Sequence, residues 1–269
     1  MAAPLTFVNG AAGDGLSSHD RGLAYGHGVF ETMRLAGGEI PLLGYHLARL
    51  TQGLRRLGIA QGLADIESQL AQLVPAMPAH GTVKLVVTAG VGPRGYATPR
   101  DCQPSVIVHC YPPIVPQASA RLQPCEYRLP ANPRLAGIKH LNRLDQVLAA
   151  MELKEGVQGL LMDQEGRVIE ALSHNVFACW GGRWRTPGLD RCGVAGVMRH
   201  FVLDHLLPEA AEASFSLAEL AEADEVFICN AVAGIVPVIS IAGVGEWVSQ
   251  PRIQQLRRRL AERLPCFAG

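Results

Sequence analysis

AGIKHLNRLDQVLA, residues 136–149, is the stretch on which the reading of this chain turns. A glycine and an isoleucine lead into Lys139, and from Asn142 the apolar residues take up helical spacing, predicting a helix to about Lys154. A lysine just ahead of a helix faces the positive end of its dipole, which favours the neutral amine. A neutral amine is what Schiff-base chemistry requires. An exposed lysine at a loop end would have the same neighbours, because most lysines are solvated. The residues alone leave both readings open.

Outward from this stretch, helices and strands alternate without repeats. Leu5 to Val8 is a short apolar run closed by Asn9-Gly10, a strong hairpin signal, and VFETMRLAGGEIPLL reads as a second hairpin turning at Gly37-Gly38. Leu47, Leu50, Leu54 and Leu57 place a helix over 45–57, and another fits 64–75. Thr82 to Thr88, Ser105 to Tyr111, 121–128, 158–163, 174–180 and 225–229 read as strands, with a helix near 196–206. A C-terminal helix carries Ile253, Leu256 and Leu260 on one face, with Arg257-Arg258-Arg259 as a solvated face. Frequent hairpins among mixed elements argue for two α+β domains and against one doubly wound parallel sheet. YPPIVPQASA, residues 111–120, has three prolines in ten residues and favours extended chain. The expected division is a domain over 1–114, a linker over 115–121 and a domain over 122–269.

Composition narrows the partners. With 24 basic and 24 acidic residues among 269, nothing electrostatic points to nucleic acid or an anionic membrane. Near-neutrality leaves little repulsion between subunits. The seven cysteines contain no Cys-x-x-Cys pair, which argues for reduced thiols rather than a disulfide framework or zinc site. The nine histidines form neither His-x-x-x-His nor His-Glu-x-x-His, so no metal is expected. No secretory leader or membrane-length apolar run is visible, and a cytoplasmic protein is expected. A serine-hydrolase elbow and a Walker loop are missing from the sequence.

Three further segments carry chemistry. In VIEALSHNVFAC, residues 168–179, Glu170 is a carboxylate among apolar and β-branched residues, where a cationic ring nitrogen would give it a partner and an exposed turn would explain it otherwise. GVAGVMRH, residues 193–200, puts small residues before a helix, leaving backbone amides for an anion or serving as ordinary helix entry. GVGPRGYATP, residues 90–99, holds Arg94 and Tyr96 in a Gly/Pro-rich loop after a strand.

The order of these motifs resembles the fold-type IV pyridoxal-phosphate enzymes, the branched-chain and D-amino-acid aminotransferase-like family. DRGLAYGHGVFETMR (20–34) is similar to its N-terminal signature, EALSHNVF (170–177) to the segment that meets the pyridine ring, and GVAGVMR to its second phosphate loop. Within the family, PRGYATP and AGIKHLNRLDQVLA are most similar to the lyases that convert 4-amino-4-deoxychorismate to 4-aminobenzoate and pyruvate in folate biosynthesis. The resemblance covers nearly the whole chain. It implies a smaller N-terminal α/β sandwich, a larger C-terminal α/β barrel-like domain that binds pyridoxal 5′-phosphate, and a homodimer supplied with substrate by aminodeoxychorismate synthase.

Residue by residue, the resemblance makes Lys139 the lysine that carries the cofactor and Glu170 the partner of its ring nitrogen. Arg49 in YHLARL and the amides of Val197 and Met198 fall to its phosphate. Asn230 or Ala231 stands where relatives use a threonine for the same phosphate. Arg94, with Arg34 second, is implied to meet substrate carboxylates. His27 stands where many relatives have Asp, and no role is carried over to it. The alternatives are an aminotransferase of D- or branched-chain amino acids on the same scaffold, or a silent member that only binds a partner.

Overall fold

The computed structural model describes residues 5–60, 63–99 and 102–268. The chain divides into two units, Met1–Ile114 with Ile138–Asn142, and Val115–Gly137 with Arg143–Gly269.

In the first unit the chain runs through β1 (Leu5–Val8), β2 (Ala11–Ala12), α1 (Arg21–Tyr25), β3 (Gly28–Ala36), α2 (Leu43–Leu57), α3 (Leu63–Leu73), β4 (His80–Thr88) and β5 (Ser105–Tyr111). The sheet order is β2-β1-β5-β4-β3, antiparallel throughout. Asn9 and Gly10 both take positive φ, 50° and 83°, as the tight β1–β2 hairpin requires. The Gly37-Gly38 turn also forms, but its expected return strand is a single bridge between Ala36 and Glu39. Pro41 cannot donate to a ladder, Leu42 takes φ 60°, and the chain passes at once into α2. β3 pairs along its whole length with β4 instead.

Alternation in β3 sends Val29, Glu31, Met33 and Leu35 to a buried face. Leu47, Leu50 and Leu54 of α2 join the same core. Each buried leucine stabilises this packing by about 1.5–3 kcal/mol. At Gly53 a Cβ would lie 2.8 Å from Val29 Cγ1, so glycine lets the helix approach β3 closely.

The second unit contains β6 (Ala120–Leu129), α4 (Leu144–Ala150), β7 (Gln158–Asp163), β8 (Val168–Ala171), β9 (His174–Trp180), β10 (Arg183–Thr186), α5 (Val197–His205), β11 (Ala211–Glu212), α6 (Leu217–Ala221), β12 (Glu225–Asn230), β13 (Gly234–Ile241), β14 (Gly245–Glu246) and α7 (Pro251–Arg263). Strands pair in the order β9-β12-β13-β6-β7-β8, and β8 pairs β9 again, so six strands close a ring. The pairings β13–β6 and β6–β7 are parallel, and the other four are antiparallel. The barrel-like second domain and the α+β class expected from the sequence are what the structure shows.

Three boundaries differ from expectation. β6 opens at Ala120, inside the expected linker. Residues 138–142 pack with the first unit, because they complete the open edge of β3. The helix expected over 142–154 is confined to Leu144–Ala150. No described helix is long and apolar enough to cross a membrane.

Candidate active site

Lys139 lies in extended chain, not at the start of a helix. Phe30 donates its backbone N–H to the Lys139 carbonyl at 2.9 Å, Leu141 donates to Gly28 at 2.9 Å, and Val29 bridges His140. The segment is a short extra strand on β3, with Ile138 fully buried beneath it. Cross-strand pairing puts Lys139 beside Phe30, and its Nζ lies 4.6 Å from that ring's centroid. The dipole of α4, which begins at Leu144, therefore does not act on this lysine, since a dipole acts only within the first turn.

Arg49 sits in a buried cluster that sequence reading did not find. Glu31 breaks the apolar face of β3 with a carboxylate, and α2 answers with His46 and Arg49. Arg49 Nε donates to Glu31 Oε1 at 2.8 Å and its Nη2 to Oε2. His46 Nδ1 donates to Glu31 Oε2 at 2.6 Å. Burial would push the Glu31 carboxyl up, but the Arg49 charge and the bonds from His46 and Arg49 outweigh it and hold the group at about 2. Burial pushes His46 below its ordinary value against the pull of Glu31, with the Arg49 and Lys139 charges adding to the lowering. His46 is thus the neutral Nδ1–H tautomer, and its buried Nε2 has no hydrogen-bond partner among the described residues. A two-pronged carboxylate fixes the plane of the Arg49 guanidinium.

In the second unit Glu170 stands in β8, 4% exposed, and accepts the Val194 N–H at 2.8 Å. Asn175, its cross-strand neighbour on β9, donates to the Val194 carbonyl at 2.9 Å. Gly193, with φ 82°, lies so close that a Cβ would meet Ile169 and Leu189 at 2.8 Å and Glu170 Oε2 at 3.3 Å. Gly196 is the N-cap of α5, and a Cβ there would stand 2.0 Å from Asn175 Oδ1. Among the described residues no side chain caps α5, so the amides that open it, those of Val197 and Met198, have no side-chain cap. The side chains of Val197 and Met198 are buried in the core.

The other expected residues behave differently from one another. The Asn230 side chain accepts from the backbones of Val232 at 2.9 Å and Ala233 at 2.7 Å and donates to Ser173, so it is spent on the turn after β12. Ala231 beside it is buried. Arg34 is half-buried on the Phe30 face of β3. Arg94 is exposed in the loop between β4 and β5. His27 gains a definite place: its Nε2–H donates to the Leu57 carbonyl at 2.9 Å and its Nδ1 accepts from Arg21 Nε at 3.4 Å.

Sequence reading missed Glu31, His46, Asn175, Asp20 and Arg21. A readable signal existed for the first pair: a carboxylate at an inward position of a strand, and a histidine and an arginine among the leucines of the facing helix.

The amino-transferase class IV family matches residues 28–241. The crystal structure of the 4-amino-4-deoxychorismate lyase of Pseudomonas aeruginosa is 41% identical and superposes with a TM-score of 0.91 over 97% of this chain and 99% of that one. The aminodeoxychorismate lyase of Vibrio harveyi is 33% identical over 94% of this chain and 97% of its own length. A putative branched-chain-amino-acid aminotransferase of Methanocaldococcus jannaschii is 30% identical over 92% of this chain and 89% of its length.

Proposed function

The chain belongs to the class IV aminotransferase family, and on that footing we propose that it is a pyridoxal 5′-phosphate-dependent lyase that converts 4-amino-4-deoxychorismate to 4-aminobenzoate and pyruvate. The end-to-end likeness to the Pseudomonas aeruginosa lyase carries the choice of lyase over aminotransferase.

The residues present suit this cofactor. A helix start without a side-chain cap accepts an anion, Glu170 is a buried carboxylate, and Lys139 is a half-buried amine. When bound, the cofactor supplies an electron sink for the charge left by proton removal. Lys139 would hold it through its amine, which the substrate amine would displace. The freed amine of Lys139 is then the general base for the carbon bearing the substrate nitrogen, and the acid that returns a proton to the methylene of the departing enolpyruvyl group. Glu170, fixed by Val194 and the Gly193 turn, pairs with the ring nitrogen. Arg49, held in plane by Glu31, and the amides of Val197 and Met198 receive the phosphate. The residue 230–231 contribution comes from the backbone, because the Asn230 side chain is engaged in its own turn. Arg94 meets a substrate carboxylate, and Arg34 is the second candidate.

The reaction calls for an amidotransferase synthase upstream to provide its substrate. We place the protein in the cytoplasm, in keeping with seven cysteines free of disulfides, five of them buried. We also propose a homodimer. In support, α4 and the residue after it expose Leu144, Val147, Leu148 and Met151 at three- and four-residue spacing, 66%, 54%, 40% and 77%. Light scattering of the wild type and of Leu148→Glu checks this, with a dimer and a shift to monomer as the expected pair of results. The lyase reading is checked by following pyruvate and 4-aminobenzoate together from enzymatically generated substrate. An amino group passed to a keto acid with neither product formed would favour the aminotransferase reading.

A further inference from the structure

The loop that bears Arg94 is held from beneath by α1, and the holding is costly enough to need a reason. Arg21 is 2% exposed and forms no ion pair among the described residues. Its guanidinium donates to two consecutive carbonyls, Gly95 and Tyr96, each at 2.9 Å, and through Nε to His27. Tyr25, one turn along α1, accepts the Gly95 N–H on its hydroxyl at 2.9 Å. The Arg21 guanidinium carbon lies 4.9 Å from the Tyr25 ring centroid, and that ring meets Tyr96 edge-on at 5.6 Å. Three backbone groups of the two residues after Arg94 are therefore gripped by two side chains. Gly95 itself has φ 120°, a conformation that glycine adopts readily.

The grip is anchored in turn. Asp20, fully buried, caps α1 by accepting from Gly22 at 2.7 Å, and its other oxygen accepts from Thr88 at 2.9 Å and Ser105 at 2.8 Å. Those partners lie at the end of β4 and the start of β5, so α1 is fastened to the two strands between which the loop runs. At Gly90 a Cβ would stand 1.7 Å from the Gln103 carbonyl oxygen, which shows how tightly the loop base closes.

Burying a guanidinium is unfavourable unless it is hydrogen-bonded. Here three of its N–H groups are bonded, two of them to a loop in which Arg94, Tyr96, Ala97 and Thr98 are exposed. We propose that Arg21 and Tyr25 are positioning residues for Arg94. They hold one loop conformation in advance, so that Arg94 meets a substrate carboxylate without an ordering cost at the moment of binding. The proposal rests on the reading of Arg94 as a substrate contact.

The test is a double-mutant cycle on KM and kcat for 4-amino-4-deoxychorismate, with thermal melting of each variant. Arg94→Ala loses a charge-assisted bond, and KM is expected to rise roughly tenfold or more with kcat little changed. Tyr25→Phe keeps the ring and removes the hydroxyl that takes the Gly95 N–H; KM is expected to rise by about threefold. Arg21→Lys is the stronger lesion, and Tyr25→Phe stands in for it if the lysine variant does not fold. In the Arg94→Ala background, Tyr25→Phe should leave KM where it was, because the loop no longer presents anything. Equal effects of Tyr25→Phe in both backgrounds, or none where Arg94→Ala has a large one, would overturn the positioning role. An unchanged KM in Arg94→Ala would remove the reading of Arg94 beneath it and the inference with it.

Discussion

Replacing Glu31 by Gln tests the buried cluster around Arg49. The carboxylate is 1% exposed and receives both prongs of the Arg49 guanidinium and the Nδ1–H of His46. Its pKa falls from 4.5 to about 2 on folding. At 1.36 kcal/mol per pKa unit, the difference corresponds to about 3 kcal/mol of stability at neutral pH. Because the folded value lies below the unfolded one, that stabilisation is complete above pH 4.5 and is lost as pH falls towards 2. About two-fifths remains at pH 3. The Gln variant cannot titrate there and leaves Arg49 buried opposite a neutral amide. Urea unfolding of the cofactor-free protein, followed by circular dichroism at pH 7 and pH 3, should show Glu31→Gln less stable by about 3 kcal/mol at pH 7. That gap should narrow by roughly 2 kcal/mol at pH 3. A gap that is the same at both pH values, or that widens on acidification, would refute the electrostatic account of the cluster.

Three further outcomes follow. Arg49→Met should weaken pyridoxal phosphate binding at least about tenfold in an absorbance titration, since a guanidinium–phosphate contact is lost. Gly193→Ala should lower the stability measured by thermal unfolding by about 2–4 kcal/mol, combining positive-φ strain with a Cβ 2.8 Å from Ile169 and Leu189. Asn230→Ala removes the acceptor of two turn amides. It should cost about 1–2 kcal/mol in the same measurement while leaving cofactor affinity little changed.

Much of the fold is legible where one local pattern suffices. The helix with Leu47, Leu50 and Leu54 inward, the Asn9-Gly10 turn, and Ile253, Leu256 and Leu260 on α7 follow from spacing alone. β13 escapes such reading because Pro237 interrupts an otherwise strand-like run; in the structure that proline is tolerated opposite Phe227. In the sequence the Lys139 segment looks like a helix approach, because its extended conformation is imposed by β3, more than a hundred residues earlier, through the Phe30–Lys139 and Leu141–Gly28 bonds. The candidate site divides in the same way. Glu170 and the α5 start stand out as motifs, whereas Asp20, Arg21 and Glu31 owe their meaning to partners 15 to 85 residues away. Asn230 shows the converse: a polar residue at an expected binding position whose side chain is taken by its own turn.

The central claim is that Lys139 carries pyridoxal phosphate and drives elimination of pyruvate. The most direct measurement mixes the cofactor-loaded protein with enzymatically generated 4-amino-4-deoxychorismate and follows pyruvate and 4-aminobenzoate together, with Lys139→Ala alongside. Equal amounts of both products, lost in the variant, are what this account predicts. A cofactor-loaded protein that yields neither product, or yields both undiminished without Lys139, would contradict it.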